Sequence, residues 1–533
     1  MSGVHIFPIE LYIDILKDVD GVTLVRCQRV CRLWRLIIQE TTELQYNIEF
    51  AISGLEGRVS VPHKASFLER TELLRHHEAA WRNLEYSTVK SAFIPAGAVT
   101  RFVPDAVVHD GKLALLGINS QLLFVLPLES PVLEIPEEPD WGIRIVARRA
   151  EAFCISPPLG LLVLLEDLSF TPIPTGIDLR LHILSFKSAH PHPNADPGFI
   201  DFQSDYVPHP LSHTIQANGD YVGMLVQDNE NRHAVLGIWD WRTSERRMEL
   251  TGEGIQSFAF LTEKHVMVLV HKPWLATERS HPKLFVLDIA AVGPNITSCD
   301  EVAYSLAFLF PVPSSQVKLR RIDMWTDHHA LSSSIKPQDQ PAADSIVLFR
   351  LRGADPGASP DDLGTKLLEI FVPASTFLRH LRRECDGGEL RKVLNYREWL
   401  STDARVQHSV YDDSANPRNS ISGYRYAQSI KREAGEADSL VIRVMDFSVP
   451  RIQHAMESGK KDVEISYPDD VPKGFWDDEG ISSSASCLIS KAEISSTENE
   501  RLVHSPLTMI SDSAIVVVNG LGGEAPRMHR ILF

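Results

Sequence analysis

The side chains able to hold a metal or move a proton are plentiful in this chain but scattered. Its 21 histidines include His76-His77, His190-Pro191-His192 and His328-His329 close to Trp325. A zinc-protease helix needs His-Glu-x-x-His, which puts both imidazoles on one face; His76-His77-Glu78 does not supply it, and all three groups read as packing or surface residues. Six cysteines occur without a single CxxC, which excludes a disulfide scaffold and a four-cysteine zinc site. Cys27 and Cys31 are the close pair, four apart and expected on one helical face, where two further metal ligands are missing. The adjacent carboxylates Asp361-Asp362, Asp412-Asp413 and Asp477-Asp478 lack the alternating oxygen ligands and bend glycine of a calcium loop. Asn519-Gly520-Leu521-Gly522-Gly523 follows a strand-like run and reads as a hairpin turn, since a phosphate cradle needs backbone N–H groups converging at a helix start. No G-x-S-x-G elbow raises a serine nucleophile. Asn295-Ile296-Thr297 fits a glycosylation sequon, read as chance because no secretory signal opens the chain. The expectation is a protein without catalytic residues, cofactor or metal.

With no reactive constellation, function falls to surfaces and to the elements that present them. The chain has 533 residues, 44% hydrophobic and 23% charged, with a formal net charge of −17. That balance argues against nucleic acid, which needs a concentrated basic surface. No run of about eighteen apolar residues is present to span a bilayer, so neither nucleic acid nor membrane is an expected partner. The expected location is cytoplasmic, nuclear or both.

The N-terminal segment has the clearest organisation. Pro8 suits the first turn of a helix, where its missing N–H costs nothing, and Phe7, Leu11 and Ile15 recur every four residues along one face, with Leu16 beside them. A turn follows at Asp20-Gly21. Thr23 is placed as the N-cap of a second helix whose apolar stripe runs through Leu24, Cys27, Val30, Cys31, Trp34 and Ile37. Arg26, Arg29, Arg32 and Arg35 wind around that helix, suited either to an acidic partner or to solvent. Phe7-Pro8, Glu10-Leu11, Ile15-Leu16 and Val30-Cys31-Arg32-Leu33-Trp34-Arg35 together resemble an F-box, with Phe7 in place of the usual leucine. Glu43-Leu44-Gln45-Tyr46, Ile48-Glu49 and the stretch from Arg70 to Arg82 resemble a group of F-box proteins from mushroom-forming fungi. The resemblance implies docking on a Skp-family subunit through Phe7, Pro8, Leu11, Ile15, Leu16, Leu24, Val30, Cys31, Trp34 and Ile37.

Residues 1–50 are therefore assigned to this helical module and 51–94 to a bridging segment. The bridge holds a helix over 66–84, opened by a capping box from Ser66 to Glu69 and striped by Leu68, Leu74, Trp81 and Leu84. From 95 to 533 the pattern changes to short apolar runs separated by Gly, Pro, Asn and Asp. The runs pair: Lys112–Leu116 with Leu122–Leu126, Leu161–Leu165 with Leu181–Phe186, Tyr221–Val226 with Val235–Asp240, and Val266–Val270 with Leu284–Asp288. Three more pairs follow, Ser345–Arg350 with Leu367–Val372, Ile421–Ala427 with Leu440–Phe447, and Ala514–Val518 with His529–Phe533. Strand pairs at this recurrence predict a mainly β chain with a single degenerate β-propeller of about seven blades after the helical module. Six or eight blades, or a pair of β-sandwiches, stay open. Leu236-Gly237-Ile238-Trp239-Asp240-Trp241 resembles the third strand and following turn of a WD-type repeat. Surface loops are expected at Pro191–Pro197, at Ser332–Gly364 around one strand, and at Ser482–Glu500.

Three functions fit this reading. In the first, the F-box docks on the Skp-family subunit of an SCF-type ubiquitin ligase, which also contains a cullin, and the propeller holds a target protein. In the second, the helices merely cap a propeller scaffold from within. The third, a propeller hydrolase, requires ionisable residues converging in a central channel, and no local motif supplies them.

Overall fold

The computed structural model describes residues 7–53, 65–84, 88–93, 106–109, 111–116, 122–128, 142–145, 150–168, 177–204, 211–228, 233–272, 281–327, 345–355, 366–387, 392–408, 420–432, 439–458, 464–467, 475–476, 485–495, 507–511, 514–519 and 527–532. Near-continuous apolar strands such as Leu161–Leu165, buried at every position, need a packed neighbour on both faces, because successive side chains point to opposite sides of a sheet. Leu161, Val163 and Leu165 accordingly pack with Val222, Met224 and Val226 of the following sheet, whereas Leu162 and Leu164 pack with Ala114, Leu116, Leu123 and Val125 of the preceding one. The same division recurs along the chain. Val347, Phe349 and Leu351 join one seam, and Ile346 and Leu348 join the next.

The described residues form seven sheets of four or five strands, and the apolar seams between successive sheets close into a ring. This is a β-propeller, and we number its blades from the sheet that begins at Ala106–His109. Six of the seven strand pairs predicted from sequence are antiparallel neighbours within one blade; in the remaining one, Ile421–Ala427 spans a turn, Ile421-Ser422 pairing back on Arg425-Tyr426, and it is Arg425–Arg432 that pairs with Ser439–Asp446. The seventh blade is built from both ends of the described chain: Leu507–Ile510, Ala514–Asn519 and Arg527–Leu532 are completed by Thr88–Phe93, which pairs along its full length with Arg527–Leu532. The propeller thus begins within the segment assigned to the bridge, before residue 95. Closing the ring with the first strand ties a non-local contact into the sheet and covers the edge that Arg527–Leu532 would otherwise expose, with Thr88–Phe93 itself as the edge strand.

Side chains also stitch blade to blade. Gln216 Nε2 donates to the Phe258 carbonyl at 2.9 Å, Ser257 Oγ to the Met324 carbonyl at 3.1 Å, and Ser420 Oγ to the Thr508 carbonyl at 2.8 Å. These bonds satisfy buried polar groups that would otherwise cost stability. In the WD-like turn, Asp240 Oδ1 accepts from the Arg242 backbone N–H at 3.0 Å, and Trp241 Nε1 donates to the Gly219 carbonyl at 2.9 Å.

One loop expectation is overturned and another holds. The run 482–500 contains the strand Cys487–Ser495, paired from Leu488 on with Ser439–Asp446; Lys491 and Glu493 are exposed, while Cys487, Leu488 and Ile489 are buried and Ser490 donates to the Arg82 carbonyl at 2.6 Å. Pro191–Pro197 is a surface loop as expected, pinned by His192, which is buried edge-on against Trp241 with ring centroids 4.9 Å apart. Residues 328–344 and 356–365, and with them His328-His329 and Asp361-Asp362, lie outside the described residues, as do Asp412-Asp413 and Asp477-Asp478.

Candidate functional site

Five helices precede the propeller: α1 (Ile9–Lys17), α2 (Gly21–Cys27), α3 (Arg32–Glu40), α4 (Thr42–Ser53) and α5 (Phe67–Asn83). The second predicted helix is in fact two. Asp20, not Thr23, caps α2, its Oδ1 accepting from the Thr23 backbone N–H at 2.9 Å. The chain leaves the helix through Arg29 and Val30, whose N–H groups bond to the Arg26 and Cys27 carbonyls, and Cys31 is extended at φ −157° as the N-cap of α3. Cys27 and Cys31 therefore do not share a helical face. The described cysteines are free thiols, and among the described residues no group of three His, Cys, Asp or Glu is placed to hold a metal.

The module has a core of its own, built from Leu16, Leu24, Ile37, Ile38, Leu44 and Ile48, with Tyr12, Leu33 and Trp34 packed against it. No strand residue enters this cluster. On α1 the two stripes separate cleanly: Tyr12 and Leu16 face inward, while Leu11 and Ile15 face solvent at 46% and 61% exposure. Phe7 at 50%, Val30 at 67% and Leu36 at 51% extend the exposed apolar set, and Pro8 and Cys31 are also exposed. Of the ten residues singled out from sequence, Phe7, Pro8, Leu11, Ile15, Val30 and Cys31 thus lie on the surface. Leu16, Leu24 and Ile37 are corrected to the module's interior, and Trp34 is half-buried between the two. Periodicity identified the apolar residues, but it did not reveal which stripe the module would spend on itself.

Gly21 fixes how tightly the module closes. A Cβ there would stand 2.4 Å from the Asn47 carbonyl oxygen and 2.5 Å from the Ala51 Cβ, so α2 meets the backbone of α4 with no room for a side chain. Gly21→Ala is expected to destabilise the module by about 1–3 kcal/mol through overpacking against backbone that cannot yield. Faster hydrogen exchange confined to α2 and α4, with propeller strands unchanged, would record it.

The module is locked to the propeller through α4 and α5. Ser66 and Glu69 form the expected capping box at the start of α5. Leu74, Trp81 and Leu84 are buried as expected, but Leu68 is 56% exposed. Trp81 and Leu84 enter the seam between the sixth and seventh blades beside Leu440, Ile442 and Val517. Around them lies an ionic clasp that sequence reading missed. Glu78 accepts from Arg425 at 3.0 Å and forms an ion pair with Arg451 Nε at 3.1 Å, while Asp446 pairs with both arginines. Arg451 also donates to the Ser53 carbonyl that ends α4, and the Arg425 guanidinium sits 4.5 Å from the Trp81 ring centroid. His77, the one member of the histidine doublet in the clasp, accepts from Trp81 Nε1 at 3.2 Å. Burial alone would push the Glu78 carboxyl up; Arg451 and Arg425 outweigh it and hold the group down at about 2. The sequence signal was faint, since its partners lie 347 positions downstream and beyond.

No protein-family model matches the chain, and no curated protein does. Solved structures overlap with it weakly. The WD40 domain of Toxoplasma gondii coronin covers 84% of this chain and 98% of its own at 9% identity and a TM-score of 0.31. An oligogalacturonate lyase in complex with manganese covers 84% and 90% at 11% identity and a TM-score of 0.31. A polysaccharide lyase of family PL25, an ulvan lyase, covers 83% and 94% at 8% identity and a TM-score of 0.34. The propeller rests on the chain's own sheet order and seams. Among the described residues no helix is long and apolar enough to cross a membrane.

Proposed function

We propose that this chain is a non-catalytic adaptor of an SCF-type ubiquitin ligase, its N-terminal module docking on the Skp-family subunit and its propeller holding a target protein. One observation carries the reading: the module completes its own core and still presents Phe7, Leu11, Ile15, Val30 and Leu36 to solvent. Apolar side chains left this exposed beside a completed core support a partner surface, and apolar anchors at helical spacing, as at Phe7, Leu11 and Ile15, are the means by which short helices enter a partner's groove. The adaptor's contribution is proximity, which converts a bimolecular encounter into a nearly intramolecular one. The ionic clasp supports this role by fixing the angle between the two binding elements.

The runner-up, a propeller scaffold without a ligase partner, differs in one measurable respect. Co-purification of the intact chain with a Skp-family subunit is expected, and Leu11→Asp or Val30→Asp should weaken it by about 2 kcal/mol or more, the usual cost of losing an interface anchor. Both positions are exposed, so helical circular dichroism should be unchanged. Trp34→Ala is a poorer probe because Trp34 also packs on the module core. Failure of the intact chain to bind, or binding indifferent to both aspartates, would leave the scaffold as the better account.

A further inference from the structure

A cavity of about 330 Å³ opens between the fifth and sixth blades, at the end where each blade leaves its third strand for a helix. Lys366–Pro373 runs into the helix Ala374–Gly387, and Ser439–Asp446 into the helix Val449–Ser458. Phe371 and Phe447, with stacked rings 4.7 Å apart between centroids, form its floor together with Ile346 and Tyr424. Val449, Gln453 and Met456 line one wall, spaced along one face of their helix. Val449 and Met456 stay 53% and 44% exposed although they border an apolar hollow.

The opposite wall is basic. Arg379 lines the cavity, and Arg382 and Arg383, three and four positions further along the same helical face, are exposed with it. In a chain of net charge −17 these three exposed arginines are concentrated within two turns of one helix, which also carries Glu384 and Asp386 beyond them. His380, between them, is held below its ordinary value first by burial and then by Arg379 and Arg383. The helix Val449–Ser458 is shared with the ionic clasp: Arg451 reaches Glu78 and the Ser53 carbonyl, while Gln453 and Met456 face the cavity.

We propose that this cavity captures an acidic peptide segment of a target protein, with one bulky apolar side chain entering over Phe371 and Phe447 against Met456 and flanking carboxylates meeting Arg379, Arg382 and Arg383. The hollow is at the small end of ligand sites, which suits one side chain, and the charge beside it selects what surrounds that side chain. The inference deepens the adaptor reading by naming its target class. It places capture on the same helix that anchors the docking module, so the distance between the two is set by a rigid element.

The test uses the full chain and a fluorescein-labelled peptide in which glutamates flank one phenylalanine, followed by anisotropy. Saturable binding is expected, weakening as salt is raised and falling by about tenfold or more in Arg379→Glu/Arg383→Glu, where like charges now face each other. Met456→Asp should reduce it comparably, and these exposed positions should leave thermal unfolding unchanged. Exchanging the peptide's phenylalanine for serine should remove binding. Absence of saturable binding, equal binding of a peptide with lysine flanks, or isotherms indifferent to the variants would overturn the proposal. The Skp-family subunit is absent from this assay, so its outcome is independent of the docking result.

Discussion

Glu78→Ala is expected to lower the unfolding free energy by about 3–5 kcal/mol, the cost of leaving buried charge without its partner. Arg425 and Arg451 are each under a tenth exposed in their side chains and share Glu78 with Asp446 alone among carboxylates in the clasp. A shift of the urea midpoint would report the loss, and hydrogen exchange should rise in α5 before the propeller strands. The wild-type protein should show the same linkage in acid. Glu78 titrates at about 2 in the folded chain against an ordinary value of 4.5, so its contribution is complete above about pH 4.5 and is lost as the pH falls toward 2. The shift corresponds to about 3 kcal/mol. Replacing Glu78, Asp446, Arg425 and Arg451 together with apolar residues of similar size should recover much of the stability, because the desolvation cost disappears with all four charges. A midpoint in Glu78→Ala equal to that of the wild type would mean that the helices are not held this way.

The second large effect is expected at Glu369, which is fully buried between the fifth and sixth blades. It accepts from Arg350 at 2.8 Å and from the Tyr426 hydroxyl at 3.0 Å on one oxygen, and from Gln407 at 3.2 Å on the other. Gln428 donates to the Tyr426 hydroxyl at 2.9 Å. Burial, and next the Glu369 charge, raise the Tyr426 hydroxyl above its ordinary value, so it remains a donor. Glu369→Ala removes the acceptor of the whole group and strands a cation at 2% exposure; a loss of about 3–5 kcal/mol in urea unfolding is expected. Glu369→Gln keeps the shape and one acceptor oxygen and should cost less. Phe371 lies two positions on along the same strand, packed 5.1 Å from the Tyr426 ring, so the alanine variant should also weaken peptide capture at the cavity above it. Equal midpoints for the alanine and glutamine variants would assign the whole loss to the missing charge, whereas a glutamine variant as stable as the wild type would refute the charge as the cause.

The legible parts of the sequence were those whose signals are local. Paired apolar runs such as Leu161–Leu165 with Leu181–Phe186 state a hairpin and its two-sided burial within a short window. Ser66 and Glu69 state a helix start within four residues, and Pro8 and the Phe7, Leu11, Ile15 spacing state the first helix. Errors arose where a local pattern had two solutions. The break at Gln28–Cys31 was missed because apolar residues continue through it at helical spacing, and Cys487–Ser495 was taken for loop because the exposed Lys491 and Glu493 interrupt its apolar run.

Composition and periodicity by themselves determined that this chain builds helices first and a ring of mainly antiparallel sheets after, since apolar runs, turns and capping are properties of neighbouring residues. Only the tertiary structure decided that Leu16, Leu24 and Ile37 turn inward while Leu11, Ile15 and Val30 stay in water, that Thr88–Phe93 closes the seventh blade, and that Glu78 meets Arg425 and Arg451. The reason is physical: which of two apolar stripes is buried, and which distant charges share a desolvated site, depend on surfaces brought together by loop closure across hundreds of residues, and no short stretch of sequence carries that.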